Sequence, residues 1–132
     1  MNNLFDIACN FSSDRFDNDL NEVIQRAKNN NVTKFLVVSA SLKDAEKVNK
    51  IYQDNKDSCF FTIGVHPHHA NEFGSFSSAE MIKLIEKYKP HSVGETGLDF
   101  FRNISSYEEQ LFAFEEQIQI AINTNLPLFL HQ

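Results

Sequence analysis

Long apolar runs are missing from this sequence: no stretch approaches the ~20 apolar residues that a membrane-spanning helix needs. The start, Met1-Asn-Asn-Leu-Phe5, also lacks the basic residues and apolar core of a signal peptide. Both absences point to a cytoplasmic protein. With only four glycines and three prolines in 132 residues, the composition excludes fibrous and low-complexity classes. Cysteine is scarce too: Cys9 and Cys59 stand alone without a Cys-x-x-Cys spacing, which favours reduced thiols over a disulfide or a zinc knuckle. Twelve basic against 18 acidic residues give a net charge of −6, which excludes coating of nucleic acid or membrane by bulk electrostatics. Any anionic substrate must therefore be gripped locally.

What is present is an ordinary globular chain, 42% hydrophobic and 23% charged, of a size that supports one domain over residues 1–132. Leu4–Cys9 is a compact apolar run expected as a buried first strand. Asp17 or Asn18 is the expected cap of a helix through Asn29, with Leu20, Val23, Ile24 and Ala27 on one stripe. Lys34–Val38 is too short and too uniformly apolar for an amphipathic helix and reads as the second strand. A hydroxyl followed three residues later by an acid, the signature of a capping box, occurs at Ser41–Asp44, Ser77–Glu80 and Ser106–Glu109. Each opens a helical pattern, the last and longest carrying Leu111, Phe114, Ile118, Ala121 and Ile122. Between these helices lie strand-like segments at Cys59–Ile63, around Val93–Glu95 and at Leu128–Leu130.

Strands alternating with amphipathic helices imply a parallel sheet with right-handed crossovers, hence a doubly wound sheet or a closed (β/α)8 barrel. In both, chemistry gathers where strands end at their C-termini. That rule unites scattered residues. His66 follows the third strand, Glu95 ends the fourth between Gly94 and Gly97, and His131 ends the fifth, so three potential metal ligands share one rim. A carboxylate on such a tight, apolar backbone needs a metal or cationic partner, and a salt bridge or helix cap is the competing use. Asp99 stands where it can orient a ligand histidine or cap the following loop. His68 and His69 sit in the same loop as His66.

Phe5-Asp-Ile-Ala-Cys-Asn10, Gly64-Val-His-Pro-His68, Val93-Gly-Glu-Thr-Gly-Leu-Asp-Phe100 and Leu126-Pro-Leu-Phe-Leu-His131 resemble, in order and spacing, the signature segments of the TatD family of metal-dependent deoxyribonucleases. The resemblance implies a TIM barrel, of which these five strands and four helices form the N-terminal half. It implies hydrolysis of DNA phosphodiesters from a 3′ end, with a single strand or strand end as substrate and divalent ions as cofactors. Mg2+ is the expected ion, with Mn2+ or Zn2+ as alternatives. By the same resemblance Glu95 is a metal-bridging and catalytic carboxylate, His131 a metal ligand and His66 a catalytic histidine beside the scissile phosphate. Arg102 falls where a phosphate contact would be useful. Phe100 and Phe101 are candidates for stacking on a terminal base, with core packing expected of at least one.

Two departures bound the likeness. Many members begin with a His-x-His ligand pair, whereas Ala8 and Asn10 stand here; an asparagine oxygen is a hard ligand that suits Mg2+. The family also runs to roughly twice this length, in keeping with about 250 residues for an eight-stranded barrel. Five strands alone cannot close one. A metal hydrolase of small amides or esters on the same barrel, and a non-catalytic binding fragment, stay open as rival readings.

Overall fold

The computed structural model describes residues 2–132. Five parallel strands, β1 (Leu4–Cys9), β2 (Val32–Val37), β3 (Cys59–Ile63), β4 (Ser92–Gly97) and β5 (Leu128–His131), pair in simple sequential order. Each crossover carries a helix: α1 (Leu20–Asn29), α2 (Ala45–Asp54), α3 (Ser77–Tyr88) and α4 (Tyr107–Thr124). Sequential order with no reversal is the topology of a barrel rather than of a doubly wound sheet, and the sheet curls into half of a (β/α)8 barrel.

The core lies between the convex face of the sheet and the helices. Phe35, Val37, Phe61, Ile63 and Val93 pack there against Ile24, Val48, Met81 and Ile120. Both cysteines are free and buried, as their isolation in the sequence suggested. β1 differs from expectation: Leu4, Phe5 and Ile7 are exposed rather than buried, because β1 is an edge strand with β2 as its sole neighbour in the sheet. The concave face is correspondingly open, forming an apolar hollow of about 310 Å³ against Phe5, Ile7, Leu36, Phe60 and Phe129.

The helix ends show which local signals governed folding. At Ser106 the box forms fully: Glu109 N–H donates to Ser106 Oγ at 3.2 Å, and Ser106 N–H donates to Glu109 Oε2 at 2.8 Å. At Ser41 the Asp44 carboxylate accepts from the N–H groups of Ala40 and Ser41, both at 3.0 Å, above a 3₁₀ turn that runs into α2. The other two expected starts are displaced. Asp14–Phe16 forms a 3₁₀ turn capped by Ser13, so α1 begins at Leu20, beyond Asp17 and Asn18. Ser77 lies inside the first turn of α3, where its hydroxyl accepts from Gly74 N–H. α4 is also rotated from its expected phase. Its buried face is Gln110, Ala113, Gln117, Ile120 and Ala121, while Leu111, Phe114 and Ile118 are half-buried and Ile122 is exposed.

Backbones approach so closely between the residue after β3 and the middle of β4 that side chains are excluded. A Cβ on Gly64 would lie 2.5 Å from Gly94 Cα. A Cβ on Gly94, at φ +147°, would collide with the Phe129 carbonyl. These contacts bring the β3, β4 and β5 ends together at one rim.

Candidate metal centre

Neighbouring main chain fixes the site before any side chain is placed. His66 N–H donates to the Ala40 carbonyl at 2.9 Å, and Glu95 N–H donates to the Ser39 carbonyl at 3.0 Å, so the segment after β2 anchors both residues. His66 caps the 3₁₀ turn Pro67–Glu72, whose proline fits the first turn because it has no N–H to leave unpaired. His131 ends β5, with Gly97 opposite it in register.

From this frame, ligand atoms of His66, Glu95 and His131 converge within 4.8 Å of one another, all three half-buried. Glu95 Oε1 is 3.0 Å from His131 Nδ1 and 3.7 Å from His66 Nε2, and the two ring nitrogens are 3.1 Å apart. Asp99 Oδ2 accepts from His131 Nε2 at 3.1 Å and from His68 Nε2 at 2.9 Å. The Asp99 carboxyl is held well below the usual carboxylate range by the Arg102 N–H donated to it, with the His68 hydrogen bond next. Burial pushes the His66 imidazole down to about 4, with the neighbouring His131 and His68 adding to the shift.

Proton bookkeeping then separates ligand from donor. Asp99 claims the proton of His131 at Nε2, leaving a lone pair at Nδ1 that faces the Glu95 carboxylate. Two lone pairs at 3.0 Å repel, and either a proton on Nδ1 or a cation held by both atoms relieves the repulsion. At that spacing both atoms could reach one divalent ion. His66 is set the other way. Its Nδ1 accepts from His68 N–H at 3.0 Å, so the neutral ring carries its proton on Nε2 and presents a donor to the group. The donor set therefore fits a divalent ion held by Glu95 and His131, with His66 as a hydrogen-bond donor beside it and Asp99 as the carboxylate that orients the ligand histidine.

The structure thus brings together His66, Glu95, Asp99 and His131. Arg102 reaches this group through its backbone N–H alone and lines, with Asp99 and His131, a cleft of about 340 Å³. A second cleft of about 280 Å³ is walled by Ala8, Asn10, His66 and Glu95, which sets Asn10 on the same rim. Neither loop phenylalanine is in the core: Phe100 stacks on Tyr107 with ring centres 5.0 Å apart, and Phe101 is 96% exposed. His68, which the sequence left undistinguished, belongs to the site through Asp99. His69 pairs with Glu72 at 3.1 Å and lines the second cleft beside His66. Gln110 and Gln117 escaped notice altogether, and the one available signal was the burial of two amides on the core face of a long helix.

The family model described as TatD related DNase matches residues 5–132. The chain is 38% identical over 128 residues to the 3′-5′ ssDNA/RNA exonuclease TatD of Pantoea ananatis, covering 97% of this chain and 49% of that protein. It superposes with a TM-score of 0.85 on the crystal structure of a TatD family hydrolase from Entamoeba histolytica, at 32% identity, covering all of this chain and 50% of the other. The TatD homolog YjjV from Escherichia coli K12 gives a TM-score of 0.88 at 26% identity, again over 97% of this chain and 50% of that one. The chain spans about half the length of the curated relatives it matches. With sequential parallel strands, a rim of converging histidines and carboxylates, and a family match along nearly its whole length, the chain belongs to the TatD-related DNase family.

Proposed function

We propose that this chain supplies the metal-holding side of a nuclease centre that hydrolyses phosphodiester bonds in DNA, working from the 3′ end of a single strand. The observation that carries the reading is the 3.0 Å approach of the His131 Nδ1 lone pair to the Glu95 carboxylate, with the His66 Nε2 donor alongside. The Pantoea relative, by its name a 3′-5′ ssDNA/RNA exonuclease, supports the substrate class. Cytoplasmic location fits the two free cysteines.

In this reading Glu95 and His131 would hold the ion; the Glu95 carboxylate and the nearby Asn10 amide oxygen suit Mg2+, while the His131 imidazole also admits Mn2+ or Zn2+. When bound, the ion screens the phosphate and lowers the pKa of water. The residues of the chain do the rest. His66, kept neutral by burial, donates from Nε2 to a phosphate oxygen rather than surrendering a proton at neutral pH. Asp99 keeps the His131 proton on Nε2, so that Nδ1 remains a ligand. The Arg102 guanidinium neutralises the phosphate from the adjoining cleft. A strand end gripped at one cleft needs no broad basic surface, which reconciles the substrate with the net charge of −6.

The test is Mn2+ binding by the chain, followed calorimetrically, alongside Mg2+-dependent nucleotide release from single-stranded DNA by the complete enzyme. Glu95→Ala is expected to abolish both. Activity unchanged at saturating metal would sink the assignment, and hydrolysis of a small amide or ester without nucleotide release would move the centre to a different reaction.

A further inference from the structure

Two glutamines of α4 are fully buried, at 1% and 0% exposure for Gln110 and Gln117, and each amide pairs with main chain of a rim loop, Gln117 also bonding back to its own helix. Gln117 Oε1 accepts from Val65 N–H at 2.8 Å, while its Nε2 donates to the Val65 carbonyl at 3.1 Å and to the Ala113 carbonyl at 3.0 Å. Gln110 repeats the pattern. Its Oε1 accepts from Asp99 N–H at 2.7 Å, and its Nε2 donates to the carbonyls of Asp99 at 3.1 Å and Ser105 at 2.9 Å. Each amide therefore pairs with both backbone groups of one loop residue, as a neighbouring strand would. Val65 directly precedes His66, and Asp99 is the residue that orients His68 and His131.

We propose that Gln110 and Gln117 are positioning residues that make α4 a ruler for the metal centre, fixing the β3 loop that bears His66 against the β4 loop that bears Asp99. Seven residues, two helical turns or about 10 Å along the axis, separate the two amides. α4 is a rigid element of 18 residues anchored at its start by the Ser106–Glu109 box. An aliphatic residue would fill the same space in the core, but it would leave both backbone groups of Val65, which is buried, or of Asp99, which is half-buried, without their amide partner. The loop would then shift to find new partners. A glutamine at each position satisfies the backbone and sets the distance together.

The proposal rests on the metal-centre reading only for its second readout. The first uses the metal-free chain: 15N spectra of the histidine rings in wild type, Gln110→Met, Gln117→Met and, as a control on the same buried face, Ile120→Ala. Both methionine variants are expected to shift the ring nitrogens of His66, His68 and His131 while the chain stays folded by circular dichroism. The control, which costs packing but removes no side-chain hydrogen bond to either loop, is expected to keep the wild-type ring spectrum. Should the methionine variants fail to fold, Gln110→Asn and Gln117→Asn, which keep the amide one methylene short, carry the same expectation. Folded variants with wild-type ring nitrogens overturn the proposal, as does an Ile120→Ala chain that shifts them equally. In the second readout, Co2+ titrated into the chain is expected to bind about 10-fold or more weakly in the glutamine variants and with an altered visible spectrum. A wild-type chain that takes up no Co2+ refutes the metal-centre reading instead, while the ring spectra still decide the ruler.

Discussion

Asp99 Oδ2 sits 3.1 Å from His131 Nε2 and also accepts from His68, so a single carboxylate oxygen decides where the His131 proton resides. Asp99→Asn reverses that decision. With its oxygen retained by Arg102 N–H, the new amide NH2 faces two ring N–H donors and drives the His131 proton to Nδ1, the ligand atom. Divalent-ion affinity is expected to fall about 10- to 100-fold, read by Mn2+ calorimetry on the chain. Wild-type affinity in the asparagine variant would show that Asp99 does not set the tautomer.

Gly94 and Gly74 make a matched pair of opposite outcomes. Gly94 has φ +147° and lies against Phe129, whereas a Cβ on Gly74 would meet nothing within 4 Å. Gly94→Ala is expected to cost at least about 2–3 kcal/mol through backbone strain and overpacking, and Gly74→Ala no more than about 0.5 kcal/mol. Urea denaturation of the two variants checks both figures.

Four strands were legible in the sequence as short apolar runs bounded by turn residues or a helix cap, whereas β4, Ser92–Gly97, has no such run and followed from the preceding Pro90 and the strand–helix alternation. The rim residues followed because β-α alternation places strand C-termini together, so His66, Glu95 and His131 needed no long-range information to be grouped. The phase of α4 was not legible in the same way. Reading apolar residues as the core stripe selects Leu111, Phe114 and Ile118, but Gln110 and Gln117 are buried because their amides meet loop main chain, a match that exists only after folding. His68 was hidden for a related reason: its partner Asp99 is 31 residues away on another loop. The exposure of β1 could not be read from its composition, which is that of a core strand, because burial depends on what lies beside the edge.

Thr96 is fully buried beside Glu95, and its Oγ1 has no hydrogen-bond partner among the described residues. Thr96→Val keeps the branched shape suited to a strand and removes the unsatisfied hydroxyl. The variant is expected to be more stable than wild type by about 1–2 kcal/mol, read as a higher urea midpoint with an unchanged slope.

His91 gives the chain an acid-sensitive element away from the metal centre. Its ring lies among Tyr52, Phe60 and Phe61, with centres 5.0 to 5.6 Å away, and its Nδ1 accepts from Phe61 N–H at 3.3 Å. Burial lowers its pKa from the usual 6.5, so the folded ring stays neutral where the unfolded one takes up a proton. The unfolded state then binds more protons as pH falls below about 6.5, and folding stability must decline from there until the folded ring also titrates. Above that range His91 contributes no slope. His66, lowered to about 4 by burial, adds a decline of the same sign in the metal-free chain. His91→Asn keeps an acceptor near the place of Nδ1 and cannot be charged, so its stability is expected to fall less steeply between pH 7 and pH 5 than that of wild type, whatever its absolute value. Parallel urea midpoints across that range would show that burial of His91 is not coupled to protonation.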